Sequence, residues 1–129
     1  MPDSPSVTNP GPQTLIEAMR SRGDVHDSRV LEAFLAVPRA AFLPGVPPER
    51  VYQDEAIVIR RETSGSVVST SSQPSMMALM IEQLRLLKGQ NVLEIGAGSG
   101  YNAAIIQRLV EPGGRVTTIE YDPQLAEQA

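Results

Sequence analysis

The sequence contains no cysteine and a single histidine, His26. The first absence excludes disulfides and thiolate metal sites. One histidine cannot build a His-rich zinc centre, so no metal site is expected. A cysteine-free chain fits a reducing compartment. There is no basic, apolar leader either. The chain opens MPDSPSVTNPGP, which does not read as a secretory signal. No run approaches the roughly 18–20 apolar residues of a membrane span. Positive charge is also short: eleven Lys and Arg against fifteen Asp and Glu leave a formal net charge of −4. That balance offers no basic face for a nucleic-acid backbone and no polybasic membrane anchor. The expectation is a cytoplasmic protein with no nucleic-acid and no membrane partner. Composition is silent on oligomeric state.

What is present suffices for a packed core. The 129 residues correspond to about one domain, and 41% are hydrophobic against 20% charged. Residues 1–12 hold four prolines with Ser, Asn and Gly between them, and read as a flexible tail. Residues 13–89 read as a helical and loop region. Leu15, Ile16 and Met19 have helical spacing over 13–22, with Gly23 as the stop. A second helix is predicted over 28–36, with Asp27 as N-cap and Val30, Leu31, Phe34 and Leu35 as its apolar stripe. Residues 41–48 read as a turn, 51–59 as holding a short strand, and 60–73 as a polar loop. Pro74 opens a helix to about Leu86.

Residues 90–129 change character. The predicted order is a strand over 90–95, a helix over 101–110, a strand over 116–119, and the start of a helix at 123. This is a βαβ unit, the building block of parallel sheets. The chemistry is carried by its first turn. The strand Val92-Leu93-Glu94-Ile95 runs straight into Gly96, Gly98 and Gly100, and a helix follows. Glycines there let the backbone turn sharply and let a ligand lie against main-chain atoms. Dinucleotide sites prefer a third glycine one place later, where this chain has Tyr101. The second strand ends in Glu120, twenty residues after Gly100. An acid at that tip can accept hydrogen bonds from both hydroxyls of a ribose. A nicotinamide or flavin site, or a glycine turn with no ligand, are the competing readings. Three glycines at one corner weaken packing unless something uses the space.

The G-x-G-x-G spacing after a strand bearing Glu94 resembles the first motif of class I S-adenosylmethionine-dependent methyltransferases. The upstream half narrows the resemblance. Val37-Pro38-Arg39, Ala41-Phe42-Leu43-Pro44, Tyr52-Gln53-Asp54 and Ser72-Gln73-Pro74 precede the glycine motif in order. Together they look like the protein-L-isoaspartate O-methyltransferase family. The resemblance implies an α/β, Rossmann-like class I methyltransferase fold, with an N-terminal helical extension. It implies transfer of a methyl group from S-adenosyl-L-methionine to the carboxylate of isoaspartyl residues in damaged proteins. The implied cofactor set is Glu94, Gly96, Ala97, Gly98, Ser99, Gly100, Glu120 and Tyr121, and Ser72 is the residue beside the acceptor. A carboxylate is already a nucleophile at neutral pH, so alignment suffices without a strong base. Ser72 also reads as a cap for the helix at Pro74. Tyr52 and Asp54 read as turn packing.

Two departures shape the expectation. Residues 60–74 are longer and richer in serine than the family pattern, which keeps open a peptide-tailoring aspartate methyltransferase of the lanthipeptide type. The partner in either case is a protein or peptide with isoaspartyl or aspartyl residues. The chain also stops one helix after the second strand. That predicts the N-terminal part of the fold only, an incomplete domain over 90–129, and a truncated product that binds cofactor weakly or is an inactive remnant.

Overall fold

A computed structural model describes residues 10–129. Most of the expected tail therefore lies outside the described residues, and Pro12 already belongs to the first helix. Two helices build the first layer. α1 (Pro12–Arg22) buries Leu15, Ile16 and Met19, and stops at Gly23 with φ +73°. α2 (Ser28–Ala36) starts where the Asp27 side chain accepts the Arg29 N–H, and buries Val30, Leu31, Ala33 and Phe34. A 3-10 turn (Arg39–Phe42) and a four-residue helix α3 (Pro48–Val51) occupy the stretch expected as a plain turn. Prolines at 38, 44, 47 and 48 keep these elements short.

The segment expected as a polar loop over 60–73 is instead half of a hairpin. β1 (Ile57–Arg61) pairs antiparallel with β2 (Val67–Ser71), Ile57 standing opposite Ser71. The turn closes through Glu62 N–H to Ser66 O at 2.9 Å, with Gly65 at φ +90°. Val67, Val68 and Thr70 are β-branched and favour strand. Their exposure hid the pattern, because β2 has no clean alternation of buried and exposed residues. The strand expected within 51–59 begins only at Ile57, since Val51 completes α3.

α4 (Pro74–Leu84) follows, two residues shorter than predicted, and ends at Arg85 with φ +50°. β3 (Asn91–Ile95), α5 (Tyr101–Val110) and β4 (Arg115–Ile119) make the βαβ unit, and α6 (Pro123–Gln128) closes the chain. β3 and β4 are parallel and in register from Asn91 opposite Arg115 to Ile95 opposite Ile119. One sheet face packs Val92 and Val116 onto the main core, formed with α1, α2, α4 and α5. The other face carries Leu93, Ile95 and Ile119, which are 63%, 79% and 50% exposed. This is an α/β fold, and the βαβ part is the opening of a Rossmann-like sheet. No helix among the described residues is long and apolar enough to cross a membrane.

Candidate active site

The site sits at the carboxyl ends of the two parallel strands. Gly96, Gly98 and Gly100 all take left-handed backbone angles, at φ +94°, +56° and +84°. Side chains other than glycine adopt that region at a cost of roughly 1–2 kcal/mol each. The turn is tied to the neighbouring strand tip: Gly96 and Ala97 donate their N–H groups to Ile119 O at 2.8 and 3.1 Å. Gly100 is the N-cap residue of α5. The tight turn is thus built by the sequence, and it leaves open space where a Gly96 side chain would project.

Glu120 faces this turn. One carboxylate oxygen accepts the Gly98 N–H at 2.8 Å and the other the Asp122 N–H at 3.0 Å. The Asp122 and Gly98 amides hold the Glu120 carboxyl below the ordinary glutamate range. It is therefore a fixed, ionised acceptor at neutral pH. Glu94 is held from two elements, accepting Asn102 Nδ2 of α5 and Thr118 Oγ1 of β4, both at 2.6 Å. Tyr121 is fully exposed at the rim.

The opposite wall comes from β2 and α4. A cleft of about 800 Å³ is lined on one side by Glu94, residues 96–99, Glu120 and Tyr121, and on the other by residues 69–72 with Met76, Met80 and Leu84. Ser72 and the glycine turn therefore share one cavity. Of the nine residues singled out in the sequence, Gly100 alone lies outside that lining, behind the turn at the head of α5. Two contacts hold the hairpin over the turn. Arg60 Nε meets Asp122 Oδ2 at 2.6 Å, and a Cβ added at Gly98 would come within 3.7 Å of Ile59 and 3.9 Å of Ser69, so the hairpin stands over this glycine.

The capping role expected of Ser72 is not what the structure shows. Gln73 is the N-cap residue of α4 and makes no side-chain capping bond. Asp54 does the capping from a distance, its Oδ1 accepting the Ser75 N–H at 2.9 Å. Its other oxygen accepts Arg22 Nη2 at 2.6 Å and Gln73 Nε2 at 3.3 Å. Burial opposes the ionised Asp54, but the Ser75 and Gln73 donors and Arg22 outweigh it and hold the carboxyl low. Arg39 was also missed as a site residue. It is completely buried and bonds the Ser72 carbonyl. A charged side chain inside the apolar stretch Val37-Pro38-Arg39-Ala40-Ala41-Phe42 was the available signal.

Residues 11–129 match the family model described as protein-L-isoaspartate(D-aspartate) O-methyltransferase (PCMT). The chain belongs to this family. A protein-L-isoaspartate O-methyltransferase of Methanopyrus kandleri is 44% identical over 117 residues, 91% of this chain and 49% of the relative. One from Rhodopseudomonas palustris is 45% identical over 115 residues, 89% of this chain and 49% of that one. The chain thus spans about half the length of these relatives. A solved protein-L-isoaspartate O-methyltransferase superposes with a TM-score of 0.80 at 41% identity, covering 91% of this chain and 36% of that one. A solved protein from Plasmodium falciparum, described as a putative isoaspartate methyltransferase in complex with S-adenosyl-L-homocysteine, superposes at 0.76. At 24% identity, over 91% of this chain and 52% of that one, it shows the shared fold.

Proposed function

We propose that the cleft holds S-adenosyl-L-methionine against the glycine turn and presents an isoaspartyl carboxylate of a protein or peptide to it from the Ser72 wall. The observation that carries this reading is the shared cavity, with Glu120 anchored at 2.8 Å to the Gly98 amide on one wall and Ser72 on the other. The residues fit the cofactor. Bare main chain at Gly96 leaves room for a ligand, and Glu120 is a fixed acceptor suited to ribose hydroxyls. When bound there, the cofactor supplies the methyl group. Ser72 orients the acceptor carboxylate, which needs no base at neutral pH. Met76, Met80 and Leu84 line the cleft with apolar surface that is itself exposed. On this reading the product is a methyl ester, the compartment is the cytoplasm, and the reaction belongs to protein repair.

Residues 69–71 also line the cleft, and this hydroxyl-rich wall favours, as a second reading, a peptide-tailoring methyltransferase acting on aspartate. Incubation of the chain with an isoaspartyl peptide and methyl-labelled cofactor separates the two. Base-labile label on the isoaspartyl peptide alone supports repair. Equal labelling of the matched aspartyl peptide selects the second reading. Ser72→Ala is expected to lower the labelling rate on the order of tenfold or more, while S-adenosylhomocysteine affinity by calorimetry stays within about twofold. No label on either peptide together with tighter binding of NAD would sink both.

A further inference from the structure

The Val37-Pro38-Arg39 block is the part of the sequence pattern that methyl transfer leaves unexplained. Arg39 is 0% exposed. Among the described residues no carboxylate pairs with it. Its two terminal nitrogens donate to four backbone carbonyls, while the buried Nε has no hydrogen-bond partner among the described residues. Nη1 donates to Val51 O at 2.8 Å and Gln53 O at 3.2 Å. Nη2 donates to Glu55 O at 3.1 Å and Ser72 O at 3.2 Å. Its Cζ lies 5.9 Å from the centre of the Tyr101 ring, a cation–π contact with the first residue of α5. A buried cation without a counter-ion costs several kcal/mol, and an apolar side chain of similar volume fills space without that cost. Filling space therefore does not account for an arginine here. Its planar fork does something an apolar residue cannot: it fixes several acceptors at set angles.

Those acceptors have a pattern. Three belong to the turn at 51–55, and the fourth is the carbonyl of Ser72 itself. The same turn holds the other side of Ser72, because Asp54 accepts Ser75 N–H and Gln73 Nε2. Tyr101 in turn follows Gly100 directly in the glycine motif. We propose that Arg39 is a positioning residue: it fixes Ser72 relative to the glycine turn and so sets the alignment of the acceptor with the cofactor. This rests on the reading that Ser72 contacts the acceptor.

The test uses the 129-residue chain carrying Arg39→Lys, which keeps the charge but loses the two-armed geometry. Hydrogen exchange is followed residue by residue, with S-adenosylhomocysteine affinity and turnover of an isoaspartyl peptide alongside. The expected result is exchange rising about tenfold or more at Ser75 and Met77, whose N–H groups are held by Asp54 and by Gln73 O, while Ile105 and Ile106 in α5 stay protected, and turnover falling on the order of 10- to 100-fold with KM and cofactor affinity within about threefold. Unchanged exchange at Ser75 and Met77 overturns the proposal. Equal loss of protection in α5 overturns it too, because Arg39 then acts on global stability. Where the lysine variant does not fold, the unmutated chain decides. Arg39 Nη protons that exchange with water together with the Ser75 and Met77 amides support the proposal, and faster independent exchange overturns it. A wild-type chain that methylates nothing removes the proposed reaction, yet the exchange measurements still judge Arg39.

Discussion

Replacing Glu120 with glutamine tests the cofactor wall at one atom. The substitution keeps the shape of the side chain and removes its charge. In the wild type each carboxylate oxygen accepts one backbone N–H, from Gly98 and Asp122. The glutamine retains one neutral acceptor and turns an NH2 donor toward the other amide, which loses its partner. Bonds to a charged acceptor contribute roughly 1.5–3 kcal/mol, and neutral ones about half that. If two ribose hydroxyls also donate to this carboxylate, the binding loss is about 1.5–3 kcal/mol, or roughly 10- to 100-fold in Kd. Isothermal titration with S-adenosylhomocysteine at neutral pH measures it. The pH profile supplies the sign. Glu120 is held below the ordinary glutamate range, so the ionised form persists in the fold as pH falls toward that range. Wild-type affinity is expected to stay level through neutral pH and to drop once pH falls below the usual glutamate range. The glutamine variant lacks that acidic drop. Binding by Glu120→Gln within about twofold of wild type refutes the assignment of Glu120 to the ligand.

Two further substitutions probe the frame around the site. A Cβ at Gly114 would stand 2.4 Å from Val110 O and 2.6 Å from Gln90 O. Both are backbone atoms that cannot swing aside, so Gly114→Ala is expected to destabilise by about 1–3 kcal/mol, or about 4–12 °C in the melting temperature. A melting temperature equal to wild type would show that the α5 end and β3 are not packed this closely. Asp54→Ala removes the distant cap of α4 and is expected to cost about 0.5–2 kcal/mol at neutral pH. Because the folded carboxyl is held low, this contribution is complete above the unfolded-state value and disappears as pH falls through the folded one. Urea midpoints of variant and wild type should therefore converge in acid, and a constant gap at all pH values would place the effect elsewhere.

Legibility in the sequence followed the range of the interactions. α2 and α5 were readable to the residue because their apolar spacing, the Asp27 cap and the prolines just past their ends, Pro38 and Pro112, are all local signals. The parallel pair β3–β4 was readable because the glycine turn and the crossover helix dictate it. The β1–β2 hairpin was not. β2 lies over a cleft, so polar residues sit where a strand against a core would alternate, and Ser71 rather than a large apolar residue faces buried Ile57. The cap of α4 misled for the opposite reason. Serine before Gln-Pro is a sound local signal, yet a carboxylate twenty-one residues upstream of Ser75 satisfies the helix start. The charged fork of Arg39 was beyond local reading, because its four acceptors lie twelve to thirty-three residues away.

The two walls of the cleft share the main core, in which Met77, Ala78 and Ile81 of α4 pack with Tyr101, Ile105 and Ile106 of α5, and a few specific contacts join them at the surface of the cleft. The glycine-turn wall belongs to the βαβ unit, and the Ser72 wall to the segment that precedes it. Arg60 with Asp122 and Arg39 with Tyr101 bridge them. An ion pair this exposed contributes at most about 1 kcal/mol, so Arg60 steers the hairpin more than it stabilises it. The buried Arg39 fork is different, because desolvation strengthens its bonds and penalises any arrangement that leaves them unmade. Relative placement of Ser72 and the glycine turn therefore depends more on the buried contact than on the rim contact.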